Sequence, residues 1–246
     1  MSTPSLPAAD APDASAIFQA LGFTRQSGGP WRRESGGRTW RLSFMPQRRT
    51  KYYGEVRTRH TQGWRLRVDT TTSVPVRAYA VRRGLAQNGL MRRVYRWRRF
   101  EHVPLPSPAG SFEMVTSDAD WMRRLLAAPD AFAAFADLAE YREQAGQGAS
   151  VYFDPQSLHY ASPLWQASDL TAERVTAVLA SLESLAAAAD RLPPPARPSH
   201  LNAVERLAAA HPWLGAVAFL VTAMAVLGGL GLVLVAVAIG ALLLLR

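Results

Sequence analysis

Between residues 20 and 82 apolar and polar positions alternate with a period of two. In GRTWRLSF (37–44), Trp40, Leu42 and Phe44 fall on one face and Arg41 and Ser43 on the other. In GWRLRVDT (63–70), Trp64, Leu66 and Val68 oppose Arg65, Arg67 and Asp69. Successive side chains of a strand point to opposite faces, so this pattern predicts strands with one dry and one wet face, as in an antiparallel sheet. FTRQS (23–27), PWRRE (30–34), YYGEVRTR (52–59) and VPVRAYAV (74–81) extend the series, punctuated by Gly or Pro.

Beyond residue 116 the period lengthens to that of helices. SDADWMRRLLAA (117–128) opens with Ser117 or Asp118 placed to cap the free amides of a first turn. Residues 129–146 put Phe132, Phe135, Leu138 and Tyr141 on one stripe and end near Gly146. VYFDPQSLHY (151–160) reads as a hairpin turning at Asp154-Pro155. The segment 169–191 carries Val175, Val178, Leu179, Leu182, Leu185 and Ala189 at three- and four-residue spacing. It has Asp169 and Glu173 early and Arg191 late, as the helix dipole prefers. The expectation is a soluble α+β domain over 12–191, an antiparallel sheet packed with helices, behind a disordered lead of residues 1–11.

A second region follows. LPPPARPSH (192–200) holds four prolines, cannot be helical throughout and reads as a semi-rigid spacer. LNAVERLAAAH (201–211) predicts a juxtamembrane helix with Leu201, Val204 and Leu207 on one face, so 192–211 forms a linker. From Pro212 to Leu245 run 34 residues without a charge. About 20 such residues cross the hydrocarbon of a bilayer, so 212–245 is expected to be a C-terminal transmembrane helical segment with the lipid bilayer as its partner. As one helix it would be about 51 Å long, which favours a single tilted or kinked span. Breaking it at Gly228-Gly229 would instead give two short spans and return Arg246 to the side of the basic domain. Ala225 with Gly229, and Ala236 with Gly240, stand four apart, a spacing that lets membrane helices associate and allows a homo-oligomer. The N-terminus shows no basic flank and no apolar run of the kind a secretory signal needs, so the domain is expected to face the cytoplasm.

The pattern GxRxWRLxF (36–44), then YYGEV (52–56), then VYFDPQSL (151–158) and a closing helix resembles uncharacterised bacterial membrane-associated proteins. These pair one soluble α+β domain with a terminal hydrophobic segment. The likeness spans residues 20–245 and implies architecture alone, since those families carry no established activity.

Charge sharpens the picture. The chain has a net charge of +9, yet residues 1–100 hold 20 Lys+Arg against 5 Asp+Glu, while 101–210 hold 7 against 14. A basic half points to an anionic partner. Lysine occurs once, at Lys51, so a compositional preference for arginine explains part of the excess. The basic residues concentrate in RRVYRWRRF (92–100). As a strand it would point Tyr95, Trp97 and Arg99 one way. As the end of a helix from about 82 it would give a seam of Leu90, Val94 and Trp97 flanked by Arg92, Arg96 and Arg99. Three uses remain open: ordinary packing, anionic lipid headgroups, or nucleic acid gripped by arginine and stacking aromatics. The candidate anionic-surface residues are Arg92, Arg93, Arg96, Trp97, Arg98 and Arg99.

No constellation for catalysis stands out. Cysteine is absent, which removes thiolate chemistry, disulfides and Cys-ligated zinc. His60, His102, His159, His200 and His211 form no metal-binding spacing, although His102 and His159 could meet in space. Asp118 and Asp120 are explained by helix capping, and Asp137, Glu140 and Glu143 by a solvated helix face. No GxSxG, Walker loop or kinase signature is present, and no motif asks for a cofactor. A site assembled from distant residues stays open. The expected role is a non-enzymatic interaction or scaffold module at a membrane, with a membrane-tethered nucleic-acid-binding domain as the alternative.

Overall fold

The computed structural model describes residues 14–25, 29–53, 56–82, 89–105, 112–139 and 148–201, together with Arg206. The lead 1–11, the run 212–245 and most of the expected helix 201–211 lie outside the described residues. Among those described, no helix is long and apolar enough to cross a membrane. The elements below belong to the first of two compact units, Met1–Ser199 and His200–Arg246.

Helix α1 (Ala14–Ala20) leads into β1 (Thr24–Arg25), β2 (Trp31–Ser35), β3 (Arg38–Tyr53), β4 (Val56–Thr71) and β5 (Ala78–Arg82). Helix α2 (Gly89–Trp97) precedes β6 (Glu101–Pro104) and β7 (Phe112–Thr116). Helices α3 (Ala119–Ala127) and α4 (Pro129–Leu138) follow, then β8 (Ser150–Asp154), β9 (Ser157–Ala161) and α5 (Ala172–Arg191). Among the described residues nine strands form one antiparallel sheet in the order β1-β2-β3-β4-β9-β8-β5-β7-β6. The α+β fold with an antiparallel sheet packed with helices is the one the alternation predicts. The late hairpin β8–β9 is inserted between β4 and β5.

Register explains the core. Leu42 opposes Val68, Val68 opposes Tyr160, Leu158 opposes Phe153 and Phe153 opposes Ala78, so the apolar positions of five strands share one face. All six are buried. Helices α3, α4 and α5 cover that face, with Trp121 of α3 set edge-on to Phe153 at 6.0 Å and Val175, Leu179, Leu182 and Leu185 of α5 buried.

Several helix expectations change in detail. Asp118, not Ser117, is the cap of α3, its carboxylate accepting from Trp121 N at 3.0 Å. The buried stripe of α4 is Ala131, Ala134, Phe135 and Leu138, so Phe132 lies at its margin. Residues 140–147, with the expected Tyr141, lie outside the described set. The long helix starts at Ala172 with Thr171 as its cap, because Asp169 folds into a separate 3-10 turn (Ala167–Asp169) and accepts from Gln166 N. YYGEVRTR is not a separate strand: Tyr53 pairs with Val56, making it the tip of one ribbon of two 16-residue strands.

That ribbon is pinned at Trp64, whose N–H and C=O exchange 2.8 Å hydrogen bonds with Trp165. The neighbouring Gly63 has φ +155°, and a Cβ there would stand 2.9 Å from Trp165 O. Gly63→Ala should therefore cost on the order of 1–3 kcal/mol, read as a lower urea midpoint; an unchanged midpoint would show that the ribbon root is free to adjust.

Candidate anionic-surface site

The nonet 92–100 takes the helical of its two expected forms, as the end of a helix described from Gly89. Residues up to Trp97 are helical, and the chain then turns sharply into β6. Arg99 N donates to Arg96 O at 3.0 Å and Phe100 N to Tyr95 O at 2.9 Å, the paired bonds of a Schellman stop. The hydrophobic contact that accompanies such a stop is present, with the Tyr95 and Phe100 rings 6.4 Å apart. The position that normally takes glycine is occupied by Arg99 at φ +57°. A side chain in this left-handed conformation costs about 1–2 kcal/mol.

All six candidate residues are exposed. Trp97 stands 82% exposed, so it does not join an apolar seam; the half-buried ring is Tyr95. Arg92, Arg96 and Arg99 follow one another at four- and three-residue spacing and line a cleft of about 390 Å³ together with Phe100, Glu101, His102 and Arg197. Arg93 and Arg98 lie outside that cleft. Like charges four apart on a helix repel by a few tenths of a kcal/mol, while basic groups at a helix C-terminus gain from its dipole. Among the described residues no carboxylate meets the guanidinium groups of Arg92, Arg93, Arg96, Arg98 or Arg99. Arg197 is paired with Glu101 at 2.7 Å.

Arg197 comes from the proline-rich segment expected to be a spacer. Its first eight residues instead form a strap along the domain. Pro195 is buried, Arg197 N donates to Asp118 Oδ2 at 3.2 Å, and Ser199 N donates to Pro75 O at 2.6 Å. Asp118 thus holds both the start of α3 and the strap. Burial pushes its carboxyl up, but backbone N–H groups of Trp121, Arg197 and Ala196, with the Arg124 guanidinium, more than offset this and leave it below the ordinary aspartate range.

A second constellation lies on the wet face of the sheet, opposite buried Val68 and Tyr160. His159 Nδ1 stands 2.6 Å from Asp69 Oδ1, and Nε2 stands 2.8 Å from Ser157 Oγ. The line carboxylate–imidazole–hydroxyl has the connectivity of a nucleophile with its base and orienting acid. Spacing in the sequence could not reveal it, because Asp69 and His159 meet only across the β4–β9 ladder. Two features distinguish it from a catalytic relay. The Asp69 side chain is 46% exposed, where an orienting acid is buried. The amide of Gln156, next to Ser157, already donates to Val74 O at 2.9 Å and is not available to an oxyanion.

From His159 a row of rings crosses the sheet. Tyr152 stacks on His159 at 4.6 Å and on Tyr79 at 5.8 Å, Tyr79 lies 6.1 Å from Phe100, and Tyr95 sets its ring 5.7 Å from His102. Burial, then the Asp69 and Asp154 charges, raise the Tyr152 phenol to about 12. The two histidines do not meet. Register places them four strand spacings apart, about 19 Å, and His102 pairs instead with Glu113 at 3.1 Å. His211 lies outside the described residues. Among the described residues no cluster of His, Asp and Glu is arranged to hold a metal.

No family model matches the chain, and no curated protein matches it. A solved structure similar to it is that of the mycobacterial trehalose monomycolate transport factor A, TtfA. It has 11% identity over 73% of this chain and 94% of that chain, at a TM-score of 0.43.

Two outcomes test these assignments. Asp118→Ala should lower stability by about 1–3 kcal/mol through the lost cap and the orphaned strap amide. A lowered carboxyl stabilises fully above its unfolded pKa of about 3.9 and loses that contribution as pH falls through the folded value, so the gap between variant and parent in urea melts should close in that acid range. Ser157 should remain unlabelled by a fluorophosphonate at neutral pH; labelling abolished by His159→Ala would instead make the relay a reactive centre.

Proposed function

We propose that this chain is a membrane-anchored, non-enzymatic interaction module whose domain faces the cytoplasm and docks on anionic lipid headgroups through α2. The observation that carries this reading is the exposed face of Arg92, Arg93, Arg96 and Trp97, extended by Arg98 and Arg99, none of whose guanidinium groups is ion-paired with a carboxylate among the described residues. Basic residues near an anionic leaflet contribute about 1 kcal/mol each, and tryptophan favours the headgroup depth. The uncharged run 212–245 supports the anchor. The strap adds a reason for proximity: Arg197 lines the same cleft as Arg92 and lies 15 residues before Pro212 in the chain. A segment of that length reaches no further than about 50 Å, so a tail in the bilayer keeps the arginines within reach of the headgroups. The cytoplasmic leaflet, with its anionic lipids, is the side that suits them.

The full chain reconstituted in vesicles tests each part. It should resist alkaline carbonate extraction, and in membrane vesicles from the producing cells protease added from the cytoplasmic side should cut the domain. Brominated lipids should quench the fluorescence difference between the parent and Trp97→Phe in vesicles with 30 mol% phosphatidylglycerol, and not in phosphatidylcholine alone. About 1 M salt, which shortens screening to about 3 Å, should abolish that quenching. Carbonate release would remove the anchor; equal quenching in neutral vesicles would remove the headgroup contact. Tight, salt-sensitive gel shifts of single-stranded nucleic acid, with no lipid effect, would favour the alternative partner.

A further inference from the structure

We propose that the cleft at the C-terminal end of α2 is a site for a phosphomonoester dianion, which rests on the headgroup reading above and narrows it to one chemistry. Four arginines, Arg92, Arg96, Arg99 and Arg197, line the cleft against one acidic residue, Glu101. Glu101 is already engaged by Arg197 at 2.7 Å, which leaves a formal excess of three positive charges. A phosphomonoester carries about −1.5 to −2 near neutral pH, more than the single charge of a phosphodiester, and offers three oxygens to forked donors. Its charge neutralises most of the excess that the described residues leave unmatched. At about 390 Å³ the cleft admits a phosphate with its first substituents.

The backbone supplies an independent sign. Arg99 sits at φ +57° in the one position of the helix stop where glycine is favoured. Strain of this kind is retained where a side chain is needed at that place. The substitution that relieves the strain also removes a guanidinium from the cleft, so the site sets stability against binding. A merely structural arginine would show no such opposition.

The test uses the full chain in neutral phosphocholine micelles, titrated calorimetrically with inorganic phosphate, dihexanoyl phosphatidic acid and dihexanoyl phosphatidylglycerol at fixed ionic strength. Phosphate and phosphatidic acid should bind, and phosphatidylglycerol at least fivefold more weakly. Arg99→Gly should raise Tm by roughly 2–4 °C while weakening phosphatidic acid at least fivefold, and Arg96→Ala should weaken it as much. Arg25→Ala, remote from the cleft, should leave affinity unchanged. Binding of inorganic phosphate without the short-chain lipid would keep the dianion site and assign its ligand to a free phosphate. Absence of both, parity of phosphatidylglycerol with phosphatidic acid, or an Arg99→Gly protein that is more stable yet binds as before would overturn the proposal. Because neutral micelles present no anionic surface, the proposal can fail here while vesicle docking stands, and the reverse.

Discussion

Confinement of Leu42, Leu66, Val68, Tyr160 and Phe153 to a single face of the sheet is the constraint from which the rest of the domain follows. Each large apolar side chain buried there is worth about 1.5–3 kcal/mol, whereas an unpaired guanidinium carried inside would cost several. A one-residue slip exchanges the two sets, so register is fixed strongly wherever arginines alternate with leucines and tryptophans. Helices α3, α4 and α5 answer the dry face. Arg41, Arg67, the His159 relay and the aromatic row are left on the other, and the ring of Phe100 carries that row to the foot of α2.

Asp118 joins this scaffold to the cleft. One carboxylate oxygen caps α3 and the other takes the amide of Arg197, so the strap is fastened by a group already committed to the core. The same strap is also held at Glu101 and Pro75. An arginine supplied by a docked segment is held more firmly than one on a free linker, and its cost in ordering is met by the proline-rich backbone, which has little conformational freedom to lose.

What the sequence revealed was what local chemistry controls. Alternation around Trp40 and Trp64 identifies β3 and β4, Asp154-Pro155 marks the hairpin, and the pair Ser117-Asp118 marks the start of α3. Residues that a second contact decides were not legible. Phe132 and Ala131 are both apolar, and only packing selects the stripe that turns inward. β6 and β7 are short and carry Glu101, His102 and Glu113, which dilute any alternation. Asp69, His159 and Ser157 converge through strand order, which no local pattern encodes. Arg197 hides in a segment whose prolines announce only that it is not a helix.

The placement of β8–β9 governs the order of assembly. Strand β4, paired with β3 along one edge, finds its second partner only in β9, and β5 bonds β8 through two residue pairs, so the centre of the sheet stays open until residues 150–161 have been synthesised. Non-local pairing of this kind slows folding, and during translation the edges of β4 and β5 that this hairpin will fill wait unsatisfied. A nascent chain of this protein is therefore most in need of shelter by a chaperone in the interval between emergence of β5 and arrival of that hairpin.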